Sequence, residues 1–153
     1  MRTTSRGIGL AAALTAIAAL GGCGSSGPSK ADFDKKADAI CAATNRAHPP
    51  KPNPKNAKAA AALQADEISI RTELDRKLKA LKAPDSAKTD FDAYNAGTER
   101  IIAAITTMKN DALAGNQKKY GTDSQLFQTA SSEREKIAIK LGFKTCGRRH
   151  PVQ

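Results

Sequence analysis

Few side chains in this 153-residue chain have the types and spacing for chemistry. Asp66, Glu67, Glu73 and Asp75 fall within one short segment, as a pair of acid/base or metal-binding carboxylates would. Each of the last three has a basic residue four positions on, in the pairs Glu67–Arg71, Glu73–Lys77 and Asp75–Lys79. Acid before base at that spacing is the favourable order for exposed helical pairs, so the cluster reads as a solvated face. The two histidines, His48 and His150, are preceded three positions earlier by Asn45 and Gly147, so the Glu-x-x-His of a di-iron bundle is missing. Gly142-Phe143-Lys144-Thr145-Cys146-Gly147-Arg148 imitates the spacing of a phosphate-binding loop. It lacks the final Lys-Ser/Thr, follows a helical pattern and has no helix after it. No nucleophile elbow, zinc-protease motif, CxxCH haem site or Cys–His pair occurs. The expectation is a protein with no catalytic residue, no metal and no cofactor.

The three thiols carry more information. Cys23 closes Leu20-Gly21-Gly22-Cys23 at the end of an apolar run, Ile8 to Leu20, with Arg2 and Arg6 ahead of it. That run is too short for a comfortable membrane span and stops abruptly at two glycines. The whole stretch resembles a bacterial lipoprotein signal peptide. The resemblance implies cleavage after Gly22 and a thioether-linked lipid on Cys23, two acyl chains giving stable anchoring where one gives only marginal binding. Gly24 does not distinguish one membrane destination from another. The domain scheme is then 1–22 signal peptide, 23–29 lipidated cysteine and flexible tether, and 30–153 folded domain. The expected location is the cell membrane, on its extracytoplasmic face.

Cys41 and Cys146 are left at opposite ends of the mature chain. In an oxidising compartment a leftover pair usually becomes a disulfide. The other readings, a redox or metal pair, want a CxxC that this chain lacks. Closing so large a ring is worth roughly 4–5 kcal/mol by loop-closure arguments.

These residues have to be positioned by helices. Trp is absent and aromatics make up 4% of the chain, so the core must come from Ala, Leu and Ile. That composition suits helix packing and is poor in the Val, Tyr and Phe of a β-sandwich. Ser29 caps a first helix with Phe33, Ala37, Ile40, Thr44 and Ala47 at helical spacing, and the proline-rich run 48–54 ends it. A second helix runs from about Asn56 to Lys82, with Leu63, Ile70, Leu74, Leu78 and Leu81 inward. A third carries Phe91, Tyr94, Ile101, Ile105 and Met108 and stops at Gly115. The fourth begins at Asn116 or at Thr122, where Thr122-x-x-Gln125 has a capping-box pattern, and turns Phe127, Ala130, Ile137 and Leu141 inward. The fold class is all-α, an up-down four-helix bundle with one disulfide and a C-terminal loop.

Charge leaves one further candidate. Lys and Arg number 25 against 15 Asp and Glu, a formal +10. Lys136, Lys140, Lys144, Arg148 and Arg149 cluster at the C-terminal end of the fourth helix, with Lys51, Lys55 and Lys58 around the proline-rich loop. The C-terminal stripe could touch anionic lipid or an anionic wall polymer. Cations there also complement the helix dipole and keep an Ala-rich bundle soluble, which is the simpler reading. Nucleic acid is not an expected partner, because no aromatic-interleaved basic motif is present.

Ala37-Asp38-Ala39-Ile40-Cys41-Ala42-Ala43-Thr44-Asn45 and Leu141-Gly142-Phe143-Lys144-Thr145-Cys146-Gly147 resemble the two ends of a group of small actinobacterial envelope lipoproteins. That resemblance implies a helical bundle and the Cys41–Cys146 pairing, and brings no reaction or ligand with it. The functional expectation is a lipid-anchored, non-catalytic envelope protein, a surface-held binding or interaction module. The alternative is a carrier holding a small apolar ligand within the bundle. The sequence names no protein partner.

Overall fold

The computed structural model describes residues 27–147. The signal stretch with Cys23, and Arg148, Arg149 and His150, lie outside the described residues. Four helices follow one another, α1 Lys30–Ala47, α2 Ala57–Lys79, α3 Asp85–Ala114 and α4 Gln117–Leu141. There is no strand among the described residues.

Each boundary has a local cause. Ser29 Oγ accepts the Asp32 N–H at 3.1 Å, and Asn56 Oδ1 accepts that of Ala59 at 2.9 Å, starting α1 and α2. α2 ends at Lys79, a turn short of the expected Lys82. Leu81 N–H bonds back to Leu78 at 2.9 Å, tightening the last turn before Ala83-Pro84. Gly115 and Gly142 stop α3 and α4 with φ of 69° and 86°, left-handed values that suit a residue without Cβ. Of the two candidate starts for α4, Asn116 is the one used: its side chain accepts the Lys119 N–H at 3.3 Å. Thr122 lies inside the helix and donates its hydroxyl to the Lys118 carbonyl.

The molecule is an up-down bundle in which α3 is central, packed along both α2 and α4. Cross-helix pairs fix the directions: Lys79–Glu99 joins the end of α2 to the middle of α3, and Lys140–Asp90 joins the end of α4 to the start of α3. Gln64 donates to Tyr120 Oη at 3.0 Å, placing the starts of α2 and α4 together at the other end. The core divides in two. The larger cluster gathers Phe33, Ala37 and Cys41 of α1 with Leu78, Phe91, Tyr94, Leu141 and Phe143. The smaller one holds Ile101, Ile105 and Ala130, with Ile68 and Phe127 against it. α1 contributes to the first alone, so it seats on the half of the bundle where α2 ends, α3 begins and α4 ends. The expected α3 stripe is buried throughout. On α2 only Leu78 is fully covered, while Leu63, Ile70, Leu74 and Leu81 are half-buried.

Candidate functional site

The densest set of specific interactions holds the segment that follows α4. Gly142 turns the chain and Phe143 drops into the core, its ring 5.5 Å from Tyr94 and 5.9 Å from Phe33, centroid to centroid. The next three backbone amides point at one carboxylate on α1. Asp38 accepts from Lys144 N–H at 2.9 Å, Thr145 N–H at 2.7 Å and Cys146 N–H at 3.3 Å. One turn further along α1, Cys41 is joined to Cys146 by a disulfide, S–S 2.02 Å with Cα atoms 5.2 Å apart. The expected pairing is therefore present, and it lies in the core rather than on the surface.

The Cys146 carbonyl completes the arrangement. It accepts from Tyr94 Oη at 2.8 Å and from Arg134 Nη2 at 3.3 Å. Arg134 also donates Nε–H to Thr98 Oγ1 at 2.8 Å and an Nη2 proton to Tyr94 Oη. Its guanidinium carbon sits 4.3 Å from the Tyr94 ring centroid. Arg134 makes no ion pair among the described residues; its charge is met by hydroxyls, a carbonyl and a ring face. Burial pushes this guanidinium below its ordinary pKa, and burial likewise pushes the Tyr94 phenol up, opposed by the Arg134 charge. The phenol therefore stays a neutral donor. Gly97 makes the close approach: a Cβ there would lie 3.2 Å from Arg134 Cβ. Each of these polar atoms is engaged in clasping the chain end, which gives this centre a positioning role in the fold.

A second buried polar pair lies at the far end. Asp111 of α3 and Asp123 of α4 are both nearly covered, at 6% and 8% exposure. Partial desolvation at the bundle rim raises the Asp111 pKa, and the hydrogen bond and like charge of Asp123 raise it further. Lys119, 3.6 Å away, opposes this.

The residues singled out by sequence are scattered. Lys136, Lys140 and Lys144 are exposed, but Lys140 is ion-paired with Asp90 at 2.8 Å, and α4 ends at Leu141, so Lys144 leaves the stripe. His48 is exposed and ends α1. The acidic cluster on α2 forms its expected pairs, Glu67–Arg71 at 2.6 Å, Glu73–Lys77 at 3.4 Å and Asp75–Lys79 at 2.6 Å. Glu73 is drawn to a pKa of about 2 by its hydrogen bonds to Arg76. Asp75 departs from the expected solvated face: it is 8% exposed, because it stands one turn before the buried Leu78 on the inward side of α2. No group of three or more potential metal ligands occurs among the described residues.

Two grooves mark the surface. One, of about 590 Å³, lies where α2 turns into α3, beside Leu81, Lys82, Phe91 and Asn95. The other, of about 510 Å³, separates the proline-rich loop from Ala59, Ala62 and Leu63 of α2. Both open to solvent. No helix among the described residues is long and apolar enough to cross a membrane.

Sequence reasoning missed Asp38, Arg134, Asp111 and Asp123. Arg134 had a signal, since it stands between Ala130 and Ile137 where the inward stripe of α4 wants a buried residue. Asp38 had none, for its amide partners come from the far end of the chain. No family model, no curated protein and no solved structure matches this chain.

Proposed function

We propose that this chain is a lipid-anchored, non-catalytic protein of the bacterial cell envelope, of the small actinobacterial type. Its helical domain is held at the extracytoplasmic face as a binding or interaction module. The observation that carries this reading is the allocation of the thiols. With Cys41 and Cys146 joined in the core, Cys23 is the one cysteine left to take a lipid, and it stands at the end of the apolar Ile8–Leu20 run. A disulfide as the covalent closure of the domain also accords with an oxidising compartment. The positively charged n-region, the Gly21-Gly22 pair and the short tether to Ser29 support the same assignment.

The test is the intact mass of membrane-extracted protein from its native host, before and after reduction and alkylation. Loss of residues 1–22, acyl mass on Cys23 and two thiols appearing only on reduction are the expected results. A chain that keeps its first 22 residues, or carries an unmodified Cys23 thiol, would sink the anchor.

A further inference from the structure

One buried amide is unused by the fold. Asn95 of α3 is 8% exposed, its Oδ1 is covered, and its carboxamide has no hydrogen-bond partner among the described residues. An unmet buried amide is costly, whereas an apolar side chain of similar size carries no such penalty. Fold stability therefore does not account for Asn95. The residue lines the groove of about 590 Å³ where α2 turns into α3.

That groove is linear. Asp85, Lys88, Asp92, Asn95 and Glu99 line it at steps of three and four, which is one face of α3. From Asp85 to Glu99 this face is roughly 21 Å long at 1.5 Å per residue. The facing wall is the end of α2 and the turn after it, where Leu81 and Ala83 join Phe91 and Ala96 in an apolar lining. The charges balance. Lys79 pairs with Asp75 and Glu99, and Lys88 with Asp92. Among the described residues that leaves one lining charge of each sign without an ion pair, Lys82 and Asp85.

We propose that this groove binds an extended, uncharged peptide stretch of a partner protein. An occupant of this kind rests on the interaction-module reading above and gives the module its partner class. A carboxamide offers a donor and an acceptor side by side, the complement of a peptide C=O and N–H. The last side-chain torsion of asparagine is soft, so both ends of the amide can turn to the groove. Six extended residues span roughly 20 Å at about 3.3 Å each, which matches the length of the face. Alternate side chains of such a stretch would lie on the apolar lining beside Leu81 and Ala83. The other occupants fit less well. A polyanion would meet a lining whose charges cancel, and a hydrocarbon chain would leave the Asn95 amide unmet.

The test is an NMR titration of the full isotope-labelled chain, in micelles of an uncharged detergent, with a pool of capped hexapeptides of alanine, valine and threonine. The Asn95 side-chain amide and the Ala83 and Ala96 backbone amides should shift and saturate below about 1 mM peptide. Asn95→Leu should bind about tenfold or more weakly and melt no lower than the parent, since it removes an unmet amide. Ala96→Glu, which sets a charged side chain in the groove, should weaken binding as much. Ala93→Glu, the same charge change at an exposed place on α3 outside the groove, should lose less than about threefold. Undiminished binding by Asn95→Leu would reduce the groove to an apolar surface and overturn the proposal. Equal losses from the two glutamate variants, or no shift at Asn95, would overturn it as well. If no peptide binds while the mass experiment finds lipid on Cys23, the peptide site falls and the anchored module stands. Peptide binding by a chain found without lipid keeps the site and removes the anchor.

Discussion

Arg134 and Tyr94 share one acceptor: both donate to the Cys146 carbonyl while the guanidinium stacks on the phenol ring at 4.3 Å. The two are unequal partners. Without the hydroxyl, as in Tyr94→Phe, a buried cation keeps Thr98, the carbonyl and a ring face but loses its hydrogen bond to the phenol oxygen. Without the cation, as in Arg134→Met, the Tyr94–Cys146 bond stays and the long stem is replaced in kind. Unmet polar groups cost more than absent ones, so Tyr94→Phe should destabilise by ~1–3 kcal/mol and Arg134→Met by less. Urea unfolding of both variants gives the order directly, and a reversed order would show that the cation is the keystone.

The last segment is held independently by the disulfide and by Asp38. Replacing Cys41 and Cys146 by serine should cost about 4–5 kcal/mol of global stability. The amides of Lys144, Thr145 and Cys146 should still exchange slowly, because Asp38 still accepts them. Adding Asp38→Ala should release all three to fast exchange, which hydrogen–deuterium exchange resolves residue by residue. Fast exchange in the serine pair alone would mean that the covalent bond, not the carboxylate, docks the segment.

Asp111, beside Asp123, should set a pH dependence of a particular sign. A carboxyl whose pKa is higher folded than unfolded binds protons more tightly when folded. Its contribution is fully present below the usual 3.8 and is lost as pH rises through the raised value. Glu73 and Glu99 have lowered pKa values and act oppositely, losing their contributions as pH falls. Asp123→Asn removes the like charge and leaves Lys119 on Asp111. It should raise the neutral-pH melting temperature by about a few degrees and flatten the decline just above 3.8. An unchanged profile across that window would show that the Asp123 charge does not act on Asp111.

Two glycines separate packing from propensity. A Cβ on Gly147 would fall 2.5 Å from Ala138 Cβ, against a fixed helix, so Gly147→Ala must push the clasped segment outward. A Cβ on Gly121, inside α4, meets nothing within 4 Å. Gly121→Ala should therefore stabilise by ~1 kcal/mol through helix propensity, while Gly147→Ala destabilises by ~1–3 kcal/mol through overpacking. Thermal melts of the two single variants suffice.

Much of the helical layout was legible because its signals are local. Ser29 and the run after His48 bracket α1, Gly115 ends α3, and the Phe91-to-Met108 stripe marks its buried face. Acid-to-base spacing foretold the α2 ion pairs. What could not be read depends on contacts distant in sequence. Asp38 and Lys144 meet only after four helices have packed, and Asp75 turns inward although its Lys79 partner suggested solvent. The same holds for charge. The C-terminal stripe looked coherent in sequence, yet Asp90 neutralises Lys140, and Lys144 falls beyond the end of α4.

The Cys41–Cys146 bond makes a covalent ring of nearly the whole domain, with the connector from Pro49 to Lys55 inside it and exposed. A protease cutting that connector opens the ring and releases nothing. The pieces remain one molecule until a reductant arrives, and α1 stays seated beside Phe143 through Phe33. Whatever lies before Lys30 therefore keeps its hold on α2, α3 and α4 after such a cut, so a nicked population would migrate as intact protein until the gel is run with thiol.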